Sequence, residues 1–561
     1  MTQHFELPNA SSGAKELNGC TRFKDVFIPL RDGIKICADI FLLTSSIKSG
    51  EKVPVLTSLG PYGKDSNSAV FGLPKTDIYA NMYKSIKPGG EDSVFEVVHP
   101  LTWCKEFEYA LVRCGTRGTG KSEGPLDPFG LRRSEQIGDD AEGQDLYDII
   151  EWIGVQPWNS GRVAMTGISY FGMVGYWAAI QQPPHLTCVV SYESLSDMYQ
   201  GVRVGGVYSS NFHEHWYHNI VEPQGRKLGP NEEPRADYNK ILETAEYPDQ
   251  GPWPALARAR DLSKIEVPFY SAGNWTDAEL HLPGNINAFN AMSSKYKWLE
   301  MHTGNHLGAY YEDDHVQYQK KFLDYFMKDK HDNGQLDVPR VRLLIRQEEG
   351  DFFRAEKTFP VPDANNVDWF FTADQQLSEA APTTPPKAFE YPGLSGSVVF
   401  ETEPLKSKIE ILGTPYLEVE VATEAQDLDL FVYLRSIKIS GEPVIVRGNH
   451  DEPSVSFCRG FWRLSHRDEN KGFPEYQVPH QQFAKKADVE KDKTYRVTVP
   501  LHPTSFVLRP GTKLQVEVGS VDEKAMIPPM RHEGGDRTKE RFEGKNVFFS
   551  NGRIVIPTVE R

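Results

Sequence analysis

Between Phe23 and about Cys188, short apolar runs alternate with stretches of helical spacing. Residues 53–59 and 109–114 read as buried strands dominated by Val, Leu and Ala. Leu146, Ile149, Ile150 and Ile153 fall on one face of a helix. Alternation of this kind predicts a parallel sheet covered by helices. The pattern breaks from about Glu193 to Ala259, a stretch rich in aromatic residues, His and Pro, which predicts a helical insertion over the sheet. Strands resume at 267–272 and 298–302, and an amphipathic helix over 317–327 closes the unit. Past about Gly334, short alternating strands take over at 340–345, 416–421, 428–434 and 513–518, punctuated by Pro, Gly and Asn. They predict a β-sandwich or jelly roll. The expected organisation is an α/β core over 1–192 and 260–334, a helical cap over 193–259 and a jelly-roll domain over 335–561.

Composition narrows the partners. A length of 561 residues fits two or three domains. Hydrophobic content of 39% and aromatic content of 11% supply a sizeable core. The net charge of -16 argues against nucleic acid, since phosphate neutralisation needs clustered Lys and Arg. The first fifteen residues lack the apolar core of a secretion signal, and no apolar run is long enough to span a bilayer. Six cysteines without CxxC or metal spacing read as reduced thiols, which fits a cytoplasmic protein. No metal and no cofactor is expected.

The chemistry concentrates at residues 162–172. An apolar run reads as a strand, Gly167 and Gly172 flank Ser169, and a small-residue and aromatic run to Ile180 reads as a closely packed helix. Strand, sharp turn with Ser, then helix is the nucleophile elbow of an α/β-hydrolase. The short form G-x-S-x-G is not met as written, because Gly172 comes one residue late.

A Ser hydroxyl needs a His to take its proton and a carboxylate to orient that His. In this fold the chain order is Ser, acid, His. Asp277 follows the strand at 267–272, and His306 follows the strand at 298–302. They are the expected acid and base. Glu279 is an alternative acid; His281 and His302 are alternative bases, His302 being disfavoured because it falls before the Gly304–Asn305 turn. The Tyr170 backbone N–H is one expected oxyanion donor. The loop Gly60–Lys64 has no run of glycines to aim a second, so the Tyr62 hydroxyl is the other candidate, with a surface turn tyrosine as the alternative. Phe171, Trp216 and Trp275 are candidates for lining the substrate pocket, and Trp216, with Phe212 and Tyr217, reads equally as cap core.

Two other motifs carry less. Residues 115–122 match the P-loop pattern, but Gly124, Pro125 and Pro128 follow where a phosphate-binding helix would have to start. His213, His215 and His218 lack the i, i+4 spacing of a zincin helix.

Together these segments resemble the cocaine esterase-like (CocE/NonD) hydrolases, relatives of the X-Pro dipeptidyl-peptidases. The resemblance is carried by Pro61–Lys64, Arg117–Gly124, Glu151–Ile153, Gln156–Trp158, Gly167–Gly172, Trp275–Asp277, His306 and Ser505–Gly511, and it spans nearly the whole chain. It implies an α/β-hydrolase core, a helical cap and a C-terminal jelly roll, with Ser169, Asp277 and His306 as triad and Tyr62 in the oxyanion hole. One departure falls at the acid: Asn274 stands where family members usually carry Gly. The expected activity is cleavage of a small-molecule ester, or less often an amide, without a cofactor. Acyl transfer or cyclisation on the same triad, X-Pro peptidase action and a non-catalytic binding role are the alternatives. The β-domain is expected to cover the cleft or to form a dimer surface.

Overall fold

The computed structural model describes residues 5–66, 92–94, 96–229, 234–278, 280–450, 452–467, 486–524, 526, 528 and 530–560, with the backbone alone at 529. Eleven strands form the first sheet: β1 (Ala14–Leu17), β2 (Cys20–Pro29), β3 (Lys35–Leu43), β4 (Val53–Gly60), β5 (Ala110–Gly115), β6 (Asn159–Ile168), β7 (Leu186–Tyr192), β8 (Phe269–Asn274), β9 (Lys297–His302), β10 (Val341–Ile345) and β11 (Phe352–Glu356). Their order is β1-β2-β3-β5-β4-β6-β7-β8-β9-β10-β11. From β5 to β10 neighbouring strands run parallel. Strands β4, β5 and β8 are buried along their whole length, as expected of strands covered on both faces. Helices Ala141–Gly154, Ser169–Ile180, Leu282–Ala291 and Asp313–Met327 pack on this sheet.

Consecutive parallel strands all present their C-terminal ends at one edge. The loops after β6, β7, β8 and β9 therefore meet there, and each delivers one polar residue of the site: Ser169, Glu193, Asp277 and His306. Outer ends of parallel strands are where open α/β sheets bind ligands.

The segment between β7 and β8 is a set of short helices (Met198–Val202, Ser210–Trp216, Tyr238–Thr244 and Trp253–Ala259) with a small hairpin, Arg203–Val204 paired to Val207–Tyr208. A second network, of twelve strands among the described residues, from Asn365–Phe371 to Lys545–Val559, encloses its own core, including Phe371, Phe400, Leu434, Val516 and Phe548. Arg463, fully buried, ties this β-domain to the cap: it pairs with Asp429 at 2.8 Å and with Asp536, and Asp536 pairs with Arg203 of the cap at 2.8 Å.

The first sheet does not stop near residue 334 but takes in β10 and β11 as well. Alternation along β10 is the same whether a strand closes one sheet or opens the next, so the pattern alone does not reveal the partner.

Candidate active site

Ser169 begins helix Ser169–Ile180 directly after β6, with φ at +52°, a left-handed conformation that side chains other than glycine rarely adopt. The turn holds because its neighbours carry no side chain. A Cβ on Gly167 would sit 2.3 Å from the Phe171 Cβ. A Cβ on Gly172 would sit 2.2 Å from the Ser194 Oγ. Tightness here pushes the Ser169 Oγ out over the strand ends.

The Ser169 Oγ lies 3.0 Å from the Nε2 of His281. The other ring nitrogen of His281, Nδ1, is hydrogen-bonded to the Asp277 carboxylate. Asp277 and His281 are four residues apart, on the short turn that leads from β8 into helix Leu282–Ala291. Ser, His and Asp thus stand in the order a proton relay requires.

His306 arrives at the same place by a different set of bonds. Its Nδ1 lies 2.8 Å from Glu193 and its Nε2 lies 3.1 Å from Glu96. Its ring stacks on that of His281, with centroids 5.2 Å apart, and its Nδ1 is 4.0 Å from Asp277. The expected pairing of His306 with Ser169 is therefore replaced by His281, one of the alternatives in the sequence. The reason is local: the turn after β8 is short enough to swing His281 in front of the nucleophile. Glu279 lies outside the described residues.

Glu96 and Glu193 share the φ > 0 conformation of Ser169, at +61° and +42°. The Glu96 carbonyl accepts from the Ile168 N–H, next to the nucleophile, at 3.2 Å. The β-domain also reaches in: the Asn449 carbonyl accepts the His306 N–H at 2.7 Å.

Burial and charge set the protonation of this cluster. Burial pushes Asp277 up, but the neighbouring His281 outweighs it and holds the carboxyl down at about 2. Burial lowers His281 below the ordinary histidine value in spite of Asp277. Burial would lower His306 too, but Glu193 and Glu96 lift it well above the ordinary value. Burial raises Glu193 to about 7 against the pull of His306. The result is an ionised acid, a neutral His281 able to accept a proton, and a cationic His306 clamped by two glutamates.

Tyr62, fully buried rather than a surface turn residue, accepts from the Trp216 indole N–H at 3.1 Å and is hydrogen-bonded with Ser169. Burial keeps its phenol protonated. The Tyr170 backbone N–H lies in the first turn of its helix, where amides have no intrahelical acceptor. The Tyr170 side chain points away and donates to Glu142 at 2.7 Å.

The three pocket candidates separate. Phe171 packs edge-on against Tyr62 and fills the space above Gly60. Trp216 stacks on Phe129 and holds Tyr62. Trp275 donates its indole N–H to the Leu344 carbonyl and packs its ring with Phe359, in the apolar cluster that joins the first sheet to the β-domain. The P-loop-like segment also resolves as packing. Arg117 pairs with Asp145, and Ser122 donates to the Gly115 carbonyl. Sequence reasoning missed Glu193 and Glu96. Glu193 directly follows β7, as Ser169 follows β6, and that equivalence was the available signal; Glu96 lies in a stretch without periodicity and left none.

A strained Ser on an α/β-hydrolase elbow, facing a His–Asp pair, defines a serine hydrolase. Residues 32–308 match the profile of the X-Pro dipeptidyl-peptidase (S15 family), and residues 333–553 match that of the X-Pro dipeptidyl-peptidase C-terminal non-catalytic domain. The fold is that of a CocE/NonD family hydrolase from Staphylococcus aureus, SACOL2612, with a TM-score of 0.82 at 24% identity over 96% of this chain and 94% of that one. An α-amino acid ester hydrolase superposes with a TM-score of 0.67 at 16% identity over 98% and 99%. Cocaine esterase from Rhodococcus sp. is 20% identical over 88% of this chain and 90% of its own length. The two profile matches, which follow one another along most of the chain, relate it to the X-Pro dipeptidyl-peptidases of the S15 family, and its fold is shared with a CocE/NonD family hydrolase. Among the described residues no helix is long and apolar enough to cross a membrane.

Proposed function

We propose that the protein hydrolyses carboxylic esters of small molecules through an acyl-enzyme on Ser169. The supporting observation is the 3.0 Å contact between the Ser169 Oγ and the His281 Nε2, on a ring whose Nδ1 is bound to Asp277. In this reading His281 takes the Ser169 proton as the Oγ attacks the carbonyl. Asp277 stabilises the imidazolium that forms. The Tyr170 N–H and the Tyr62 O–H hold the oxyanion, and His281 returns the proton to the leaving alcohol. Water then repeats the sequence on the acyl-enzyme. The same reading keeps the protein in the cytoplasm, its six cysteines all buried and free, and leaves the β-domain available to pair with a second copy.

Two further readings have an observation behind them. His306 stands after β9, where the Ser–acid–His order puts the base, and has only to turn toward Asp277, 4.0 Å away, to join the relay. X-Pro peptidase action is favoured by the two profile matches. The deciding experiment is mass spectrometry after fluorophosphonate treatment, with p-nitrophenyl esters and a proline anilide as substrates. A single adduct on Ser169, lost in Ser169→Ala, together with ester turnover, is the expected result. Faster cleavage of the anilide would make the protein a peptidase, and a folded protein without an adduct would remove Ser169 as nucleophile.

A further inference from the structure

The groups behind Ser169 exceed what one relay uses. Asp277, Glu193, His281 and His306 each offer one ligand atom, and the four atoms lie within 4.8 Å of one another. The two imidazole rings are parallel to within 10°, and each turns its Nδ1 toward a carboxylate. The second carboxylate oxygen of Asp277, Oδ1, is buried with no hydrogen-bond partner among the described residues. A buried carboxylate oxygen left unpaired is costly, and a cation is one way to satisfy it.

We propose that these four residues bind Zn²⁺, and that the bound ion switches the relay off; the second half rests on the reading of His281 as base. Two imidazole nitrogens and two carboxylate oxygens are a donor set for zinc, whereas calcium and magnesium take oxygen alone. In a tetrahedral site with bonds of about 2.0–2.1 Å, ligand atoms stand roughly 3.3 Å apart. To reach that geometry the His281–Asp277 and His306–Glu193 pairs, the latter now at 2.8 Å, open, while the wider pairs, all within 4.8 Å, close. The two carboxylates balance the charge of the ion, and both imidazoles bind in their neutral form.

The consequence for His281 follows from its tautomer. In the metal-free relay the proton sits on Nδ1, toward Asp277, and Nε2 is free to accept from Ser169. With Zn²⁺ on Nδ1, the one proton of the neutral ring must sit on Nε2. Nε2 then donates to the Ser169 Oγ, and the serine keeps its own proton. His306 gives up one proton to the solvent as its Nδ1 binds the ion, and keeps its Nε2–H for Glu96.

The test uses the full-length protein, treated with a chelator and dialysed, then titrated with Co²⁺ and Zn²⁺. The expected results are one equivalent bound, the intense visible bands of tetrahedral Co²⁺, and ester turnover falling at least tenfold as the site fills, reversed by chelator. Glu193→Gln, isosteric with the native residue, and His306→Ala are expected to weaken binding by roughly 100-fold or more, with folding checked by thermal unfolding. Absence of the bands in the wild-type protein, or bands that survive in both folded variants, would overturn the site. Full occupancy with undiminished turnover would overturn the switch; if His281→Ala then also stays active, the fault lies in the base assignment, because the Co²⁺ bands do not depend on it.

Discussion

Replacing His281 by Ala removes the only imidazole within hydrogen-bonding distance of the Ser169 Oγ among the described residues. Loss of the base from a Ser–His–Asp relay costs about 10⁴–10⁶ in kcat, which at about 1.4 kcal/mol per decade is roughly 5–8 kcal/mol of transition-state stabilisation. His306→Ala acts differently. It leaves Glu193 and Glu96 buried without their common partner, so the expected loss is in stability, about 3–5 kcal/mol, with kcat falling only roughly 10- to 100-fold. Steady-state ester hydrolysis and thermal unfolding of the two variants separate these effects. The pH profile gives an independent reading. A base must be deprotonated, so activity is lost as pH falls through its pKa. Burial holds His281 below the ordinary histidine value, so the acid limb of kcat/KM is expected below about 6.5. His306 is lifted well above that value, and a relay through it would lose activity in neutral solution. An acid limb above neutrality, with His281→Ala active and His306→Ala dead, would refute the assignment.

Three further outcomes follow from the same geometry. Tyr62→Phe removes one oxyanion donor and is expected to lower kcat by about 10²–10³ with little change in KM; an unchanged kcat would mean that the Tyr170 N–H has some other second donor beside it. Gly172→Ala drives a methyl to within 2.2 Å of the Ser194 Oγ and 2.9 Å of the Tyr192 carbonyl, so the urea midpoint should drop by the equivalent of about 1–3 kcal/mol; a wild-type midpoint would show that helix and strand separate freely there. Burial raises the Glu142 carboxyl from 4.5 to about 8. The folded state then binds its proton more tightly than the unfolded chain, and its contribution is lost as pH rises from 4.5 through 8. Glu142→Gln, which can still accept from Tyr170, is expected to flatten the fall in unfolding temperature over that window, and a slope equal to wild type would contradict the shift.

What the sequence disclosed tracks how local each constraint is. The elbow was legible because its residue pattern is local, Gly167, Ser169 and Gly172 lying within six residues, even though the side chain that Gly172 makes room for, Ser194, lies on the loop after β7. The place of Asp277 beside His281 was legible in part, because it follows the end of β8. Which histidine faces Ser169 was not, since chain order pointed to His306 while the i, i+4 spacing of Asp277 and His281, equally visible, carried no weight without knowledge of how sharply the chain turns after β8. The bonds of His306 to Glu193 and Glu96 span 113 and 210 residues, and no periodicity encodes a contact of that separation. The contacts of Trp275 with Leu344 and Phe359 were hidden likewise, because both belong to segments that the alternating pattern had assigned to another domain. The β-domain is not an appendage on a finished hydrolase: it abuts the first sheet through β10 and the Trp275 cluster, and it hands the Asn449 carbonyl to the backbone of His306. A change in how that domain seats therefore acts on His306 and its two glutamates before it reaches Ser169, which makes the carboxylate–histidine cluster, rather than the nucleophile, the part of the site most exposed to the rest of the fold.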